Sequence, residues 1–107
     1  MKKISLPVLT IATALAVVLV LPLSAHAQGA DLFKSKCAAC HGADGTGSKM
    51  GTTMGAHDFT TAEVQKMSDA DLTGIITNGK NKMPKYGEKL KPEEIKSLVA
   101  FIRTLKK

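Results

Sequence analysis

The amino-acid sequence predicts an all-α fold, on three observations. No segment alternates apolar and polar residues in the manner of a half-buried strand. Three segments instead repeat apolar residues at helical spacing and carry helix-capping residues at their ends. Glycine-rich stretches with little periodicity separate these segments. We therefore expect helices that are joined by irregular loops.

The N-terminus has the pattern of a secretory signal peptide. Two lysines near the start precede an apolar run from Val8 to Leu23, and the small residues of "SAHA" follow. We predict cleavage after Ala27, so that residues 1–27 are a signal peptide and residues 28–107 are a single domain. An uncleaved membrane anchor stays open as an alternative, because the apolar run is long for a signal peptide.

Export predicts a periplasmic protein, or a protein of a thylakoid-type lumen if the host is photosynthetic. Removing Lys2 and Lys3 from the 15 basic residues leaves 13 against 9 acidic ones, a net charge of +4. The chain has one arginine and no basic run interleaved with aromatic residues, which argues against nucleic acid as the partner. We expect a monomer without a stable membrane anchor, whose partners are proteins with acidic surfaces.

The first predicted helix covers Asp31 to Cys40, with Leu32 and Phe33 on its apolar side. The segment from His41 to Thr60 is rich in glycine and is predicted to be a wrapping loop. A short helix from Thr61 to Lys66 fits after this loop.

The second and third helices have clearer boundaries. Ser68 and Asp71 form a capping pattern at the start of the second, predicted over Ser68–Thr77, and an Asn-Gly pair ends it. Pro92 suits the first turn of the third helix, with acidic residues beside it and lysines at its far end, as the helix dipole favours. The apolar face of this helix consists of Ile95, Leu98, Val99, Ile102 and Leu105.

A C-x-x-C-H motif ends the first helix. Cys37, Cys40 and His41 stand at positions i, i+3 and i+4, so their side chains project from nearly one face of a helix. This spacing suits a haem, because each thiol can add to one vinyl group while the imidazole reaches the iron.

Three other uses of the two cysteines fit less well. A thioredoxin-like redox pair needs a βαβ context, and the sequence shows no strands. A structural zinc ion needs four ligands, and after the signal segment the chain offers two cysteines, His41 and His57. We expect His57 to be a solvated side chain in a polar loop. A plain disulfide leaves the adjacent histidine unexplained, although a haem-free thiol-disulfide protein stays open.

A second axial ligand to the iron is expected to be a methionine. Met67 precedes a helix cap and is expected to fill the core. Met50 and Met54 lie too close in sequence to the C-x-x-C-H motif to reach the opposite face of a haem. Met83 lies far enough along the chain, and Pro84 stiffens the backbone that presents its sulfur. We therefore predict Met83 as the ligand.

These features resemble the class I c-type cytochromes, in particular cytochrome c6 and the short bacterial cytochromes c. Besides the C-x-x-C-H motif and the later Met-Pro pair, Gly29 and Phe33 stand eight and four positions before the first cysteine. Leu98 and Phe101 have the spacing of the family's last helix, and the likeness extends from Gly29 to Leu105. Many members carry a proline whose carbonyl accepts a hydrogen bond from the axial histidine. No proline occurs at residues 42–83, so this acceptor stays unassigned.

The resemblance implies helices wrapped around one covalently bound haem c, with the N- and C-terminal helices crossing. It implies cofactor attachment through Cys37 and Cys40, and iron ligation by His41 and Met83. With both axial positions filled, the expected function is one-electron transfer by a soluble carrier, not enzymatic catalysis. A haem enzyme or gas sensor with a displaceable methionine is the alternative.

Two further groups of residues have expected roles. Tyr86 is placed to bond a haem propionate or to pack beside the methionine ligand, and the sequence does not decide between these. The residues expected around the haem are Phe59, Leu72, Ile75, Ile76 and Val99. The lysines that form either a docking surface for an acidic partner or an ordinary solvated surface are Lys49, Lys80, Lys82, Lys85 and Lys89.

Overall fold

The computed structural model describes residues 1–5, 7–8, 10–19 and 24–107. Over these residues it contains six α-helices and, apart from one isolated bridge, no β-structure. The helices are α1 (Ala25–Lys36), α2 (Ala38–His41), α3 (Lys49–Thr53), α4 (Ala62–Gln65), α5 (Asp69–Asn78) and α6 (Pro92–Thr104). The all-α prediction is confirmed.

The predicted signal segment falls partly outside this description, at residues 6, 9 and 20–23. Its described residues before Ser24 form no helix or strand and are exposed. Within the described ranges, no helix has both the length and the apolar character needed to cross a membrane. Cleavage after Ala27 stays a prediction.

The first helix differs from its predicted bounds at both ends. It begins at Ala25, where the hydroxyl of Ser24 accepts a hydrogen bond from the amide of Ala27. It ends at Lys36, because Cys37 leaves helical geometry with φ −120° and ψ −32°, and α2 then continues the chain to His41. The single helix expected across Cys37 is therefore two helices with a break at the first cysteine.

The glycine-rich stretch contains a short helix that the sequence pattern did not predict. The hydroxyl of Ser48 caps α3 by accepting from the amide of Gly51, at 3.0 Å. Gly51 lies directly against the backbone of Cys40, and a Cβ on it would overlap the carbonyl of that residue. This close approach packs α3 onto α2, which carries the cysteine and histidine of the motif.

The remaining helices agree closely with their predicted positions. The hydroxyl of Ser68 accepts from the amide of Asp71 at 3.0 Å and so caps α5, as the sequence predicted. At the start of α6, the Glu94 carboxylate accepts from the amide of Lys91 at 2.9 Å. Both helices begin with acidic residues that complement the helix dipole.

The helices α1 and α6 cross in close contact, and we call this contact the helix crossing. At its centre, a Cβ on Gly29 would overlap the carbonyl of Ser97 and lie 3.0 Å from the Cβ of Phe101. Next to it, the rings of Phe33 and Phe101 are 5.0 Å apart, and both Phe33 and Leu98 are fully buried. The crossing expected from the family resemblance is thus present. It depends on the glycine at position 29, because a side chain there would overlap Ser97.

Helix α5 packs on the other side of α6 and completes the core. The guanidinium of Arg103 donates to the Asp69 carboxylate and to the backbone carbonyl of Gln65, which ties α6 to α4 and α5. The buried apolar residues are Phe33, Val64, Leu72, Ile76, Leu90, Ile95, Leu98, Val99 and Ile102. Beyond this core, α2, α3 and the segment after α5 surround an open space.

Candidate functional site

A cavity of about 380 Å³ opens between the C-x-x-C-H motif and the segment that carries Met83. Pockets for small molecules and cofactors have volumes of roughly 300–1,000 Å³ and mostly apolar walls. The apolar wall is formed by Met54, Ala56, Phe59, Val64, Met67, Leu72, Ile75, Ile76, Met83 and Ile102. The cavity therefore has the size and lining of a site for a flat, apolar cofactor.

The two cysteines and the histidine of the motif all line this cavity. The amide of Cys37 donates to the carbonyl of Phe33, and the amide of His41 donates to the carbonyl of Cys37, both at 2.9 Å. No disulfide joins the two cysteines. Burial, together with the neighbouring Cys40, raises the pKa of the Cys37 thiol to about 11, so the thiol is neutral at physiological pH.

The imidazole of His41 is held by packing. Its ring stacks on Phe59 with 4.3 Å between the centroids, and its Nδ1 is buried without a hydrogen-bond partner. Burial lowers the pKa of His41, and the backbone of His57 opposes this effect by lying close to the imidazole. A half-buried imidazole with a lowered pKa is suited to ligate a metal, because only the unprotonated form has a free lone pair.

His57 has the predicted solvent exposure but also lies beside the cavity. Its side chain is exposed, as a solvated histidine should be, yet the residue also lines the cavity on the His41 side. Its backbone lies close enough to the His41 ring to raise the pKa of His41, against the larger effect of burial. No sequence signal marked it, because a backbone contact does not depend on the kind of side chain.

Met83 lies on a braced turn, the Met83 loop (residues 79–87). The amides and carbonyls of Lys80 and Met83 pair across a tight turn, with N–O distances of 3.2 and 2.9 Å, and Asn81 adopts a left-handed conformation with φ 54°. Gly79, with φ 73°, permits close contact, since a Cβ on it would lie 2.7 Å from the Met83 carbonyl. The Met83 side chain is half-buried against the core and lines the cavity.

Three other methionines that follow the signal segment lie in three different environments. Met67 packs against the core, as predicted, and also lines the cavity. Met54 lines the cavity although it is 40% exposed. Met50 is 56% exposed and is not part of the wall. The cavity thus brings three methionines near one another, and Met83 is the one on a loop far in sequence from the histidine.

Most of the residues predicted to surround a haem do line the cavity. Phe59, Leu72, Ile75 and Ile76 are in the wall, whereas Val99 is buried in the core away from it. Ile102, one helical turn further along α6, takes that place. Both residues belong to the same apolar face of the helix, so the sequence pattern could not tell them apart.

The lysines are distributed unevenly around the cavity. Lys80 and Lys82 line it, together with Lys36, which the sequence analysis did not single out. The other predicted members of a basic surface, Lys49, Lys85 and Lys89, are exposed but outside the wall. Lys89 places its Nζ 5.6 Å from the centre of the Tyr86 ring. The positive charge next to the cavity therefore comes from both the α1 end and the Met83 loop.

The residues present fit a covalently attached haem. Two thiols at the i, i+3 spacing, an imidazole whose buried Nδ1 lacks a hydrogen-bond partner, and a wide apolar wall meet in one cavity. A structural zinc ion would need four nitrogen, sulfur or oxygen ligands around it, and this wall is mostly apolar. The fold and this site define a c-type haem protein.

Comparisons with known proteins agree with this class. The family model described as cytochrome c oxidase, cbb3-type, subunit III matches residues 24–102. The chain belongs to this family of cytochrome c domains and is a small class I c-type cytochrome.

Its relatives include both separate small cytochromes and parts of larger proteins. Cytochrome c6 of Bryopsis maxima is 34% identical over 74 residues, which are 69% of this chain and 84% of the alga's protein. The cbb3-type cytochrome c oxidase subunit FixP of Azorhizobium caulinodans is 35% identical over 80 residues. The aligned part makes up 73% of this chain but 26% of FixP.

Among solved structures, the KustC0563 c-type cytochrome superposes with a TM-score of 0.71 at 41% identity. The match covers 74% of this chain and 98% of KustC0563. Cytochrome cL from Hyphomicrobium denitrificans, at 22% identity and a TM-score of 0.64, shares the fold. The chain therefore carries haem c and is an electron-transfer protein, not an enzyme.

Proposed function

We propose that the protein is a periplasmic one-electron carrier whose haem is attached through Cys37 and Cys40 and ligated by His41 and Met83. One observation carries this proposal: the two cysteines, the half-buried imidazole and the Met83 loop line the same cavity. When bound, the haem iron would supply the one-electron oxidation and reduction. His41 and Met83 would hold that iron, and a histidine and methionine pair would favour a raised reduction potential.

The polypeptide contributes orientation and exclusion of water. Phe59 stacks on the His41 ring and orients it, while the apolar residues of α5 and α6 line the cavity and would exclude water from a cofactor bound there. Such an apolar environment would favour the less charged, reduced form of the cofactor and so raise its reduction potential further.

Carbon monoxide distinguishes the carrier from a haem enzyme or gas sensor. A carrier with a firmly bound methionine should not bind carbon monoxide in its reduced form at neutral pH. Complete binding, seen as a shift of the Soret absorption band, would favour a function that uses an open iron position.

Cellular location is tested by expressing the full chain in a bacterium that has cytochrome c maturation machinery. We expect the periplasmic fraction to contain a product with the mass of residues 28–107 plus one haem. Recovery of the full chain with the haem in the membrane fraction would instead show that the N-terminal segment is retained as an anchor.

We also propose that the lysines beside the cavity guide an acidic redox partner to this face. Three lysines line the cavity, Lys36, Lys80 and Lys82, against one carboxylate, Glu63. A net positive charge there would accelerate the approach of anionic reactants at low ionic strength. The sequence relatives leave the partner itself open, because FixP is named as an oxidase subunit whereas the alignment spans most of the Bryopsis maxima cytochrome c6.

Small charged oxidants test this surface without knowledge of the partner. The oxidation rate by hexacyanoferrate(III), an anion, should fall as ionic strength rises, and should be slower in the Lys80→Gln, Lys82→Gln double variant. Lys96→Gln with Lys106→Gln makes the same change in net charge on exposed lysines outside the cavity wall. Equal slowing in both double variants would show that net charge alone matters, and that the surface has no local role.

A further inference from the structure

Tyr86 makes a hydrogen bond that joins two distant parts of the chain. Its hydroxyl donates to the backbone carbonyl of Lys36 over 3.1 Å, across a separation of 50 residues. Lys36 is the last residue of α1 and precedes the first cysteine of the haem-attachment motif. Tyr86 itself lies three residues after Met83. The bond thus connects the segment that holds one face of the cavity to the loop that presents the methionine.

The carbonyl that accepts this bond has a reason to need a partner. The last carbonyl groups of an α-helix have no acceptor role inside the helix. The break at Cys37 ends α1, and the Tyr86 hydroxyl supplies a donor to the final carbonyl. The tyrosine ring packs against the core and lines the cavity, so the hydroxyl reaches Lys36 from a fixed ring.

The backbone hydrogen bonds that join the Met83 loop to a helix all go to α5. The amides of Tyr86 and Gly87 donate to the carbonyls of Ile76 and Thr77, at 2.9 and 3.0 Å. These bonds attach the loop to the end of α5, and none of them connects the loop to the segment that carries the cysteines. Among the hydrogen bonds of the described residues, the Tyr86 bond is the one from this loop that reaches α1.

We propose that Tyr86 is a positioning residue, whose hydroxyl latches the Met83 loop to the end of α1 and thereby resists displacement of Met83 from the haem iron. This inference rests on the proposed ligation by Met83. Burial raises the pKa of the Tyr86 hydroxyl, which keeps it a protonated donor throughout the physiological range.

The test is competition by imidazole for the sixth iron position of the oxidised holoprotein. Added imidazole must displace the methionine, so its affinity reports how firmly the loop holds the sulfur. Tyr86→Phe retains the packed ring and removes the hydroxyl. One hydrogen bond contributes about 0.5–1.5 kcal/mol, so imidazole should bind roughly two- to tenfold more tightly to this variant.

Two controls separate a latch from a general loss of stability. Ser97→Ala removes another long-range bond, from the Ser97 hydroxyl to the Gln28 side chain at the helix crossing, and should leave the imidazole affinity unchanged. In a Met83→Leu background, Tyr86→Phe should also have no effect, because no sulfur has to be displaced. An unchanged affinity in Tyr86→Phe, or an equal change in the Met83→Leu background, would overturn the proposal.

The unmodified protein offers a second test that does not depend on a variant that folds. Saturating imidazole should speed hydrogen exchange at the amides of Tyr86 and Gly87 and leave the amide of Leu98 protected. Unchanged exchange in the loop would contradict the latch. If the oxidised wild type lacks a sulfur-to-iron charge-transfer band, the proposed methionine ligation itself fails, and the latch with it.

Discussion

The helix crossing and the cavity wall differ in how much of their packing the polypeptide supplies by itself. At the crossing, Gly29 lets the two backbones touch, and Phe33 and Leu98 are almost completely buried. Around the cavity, the chain provides short helices, a braced loop and an apolar surface that faces open space. Apolar surface of this kind favours a bound cofactor, because about 25 cal/mol is gained for each Å² removed from water.

The comparison teaches that the haem has the role of a core in one half of a very small domain. A chain with about 80 residues in its folded part buries a limited fraction of its surface and often needs a cofactor for stability. The helix crossing alone leaves the cavity-facing sides of α5 and α6 without packing partners. The following predictions separate the two halves, from the largest expected effect to the smallest.

Loss of covalent attachment should have the largest effect. The double variant Cys37→Ala, Cys40→Ala can form no thioether bonds, so we expect a haem-free chain that is largely unfolded. The measurement is far-ultraviolet circular dichroism beside that of the haem-loaded wild type. A haem-free variant with native-like helix content would show that the helix crossing folds without the cofactor.

A methyl group at the helix crossing should cost stability without changing the haem site. Gly29→Ala forces the backbones apart at Ser97, and overpacking of this kind costs about 1–3 kcal/mol in the free energy of unfolding. Denaturant titration measures the loss, while imidazole affinity should stay at the wild-type value.

Gly74→Ala is the matched control, since it makes the same change within α5 where a Cβ would meet no atom within 4 Å. We expect this variant to gain up to about 1 kcal/mol from improved helix propensity. Equal losses in both variants would show that the crossing is not specially sensitive.

The same substitution beside the cavity should change both the stability and the haem site. Gly51→Ala places a methyl group against the Cys40 carbonyl and pushes α3 away from α2. We expect a loss of about 1–3 kcal/mol in stability together with a changed visible spectrum, because α2 carries His41. A variant with lowered stability and an unaltered spectrum would mean that α3 does not position the histidine.

The smallest effect concerns acid stability of the loop behind His41. The Asp58 carboxylate accepts from the Thr60 hydroxyl and amide, at 2.6 and 2.8 Å, and these bonds lower its pKa below the ordinary 3.8. The stabilisation is therefore present above pH 3.8 and is lost as the pH falls through the lowered value. Phe59, which stacks on His41, lies between the two residues.

Thermal unfolding of the wild type and of Asp58→Asn, followed across this pH window, measures the contribution. The difference between their midpoints should be constant above pH 4 and should shrink as the pH falls below the ordinary pKa of 3.8. A difference that does not depend on pH would assign the effect to the shape of the side chain, not to its charge.

The sequence predicted the fold where a pattern has one structural meaning. Ser68 and Pro92 marked helix starts correctly, because capping and proline chemistry act over a few residues. The spacing of Gly29 from the first cysteine predicted the crossing only through the family resemblance. The break at Cys37 and the helix α3 were not predicted. Helix α3 packs Gly51 against the backbone of Cys40, a contact that no local sequence pattern indicates.

For the site, the sequence indicated residues that meet in one cavity, and it missed neighbours that contribute through their backbone or position. The motif cysteines, His41 and Met83 do line one cavity. The approach of the His57 backbone and the presence of Ile102 in the wall had no signal, because neither depends on a motif. The sequence left two roles open for Tyr86, and in the structure its hydroxyl donates to the backbone carbonyl of Lys36.

Identification of the sixth ligand tests the central claim most directly, because three methionines line the cavity. The measurement is the near-infrared sulfur-to-iron charge-transfer band of the oxidised protein, recorded for Met83→Leu, Met67→Leu and Met54→Leu, each of which nearly conserves side-chain volume. We predict that the band disappears in Met83→Leu and persists in the other two. Persistence of the band in Met83→Leu would contradict the account, and its loss in Met67→Leu or Met54→Leu would assign the ligand elsewhere.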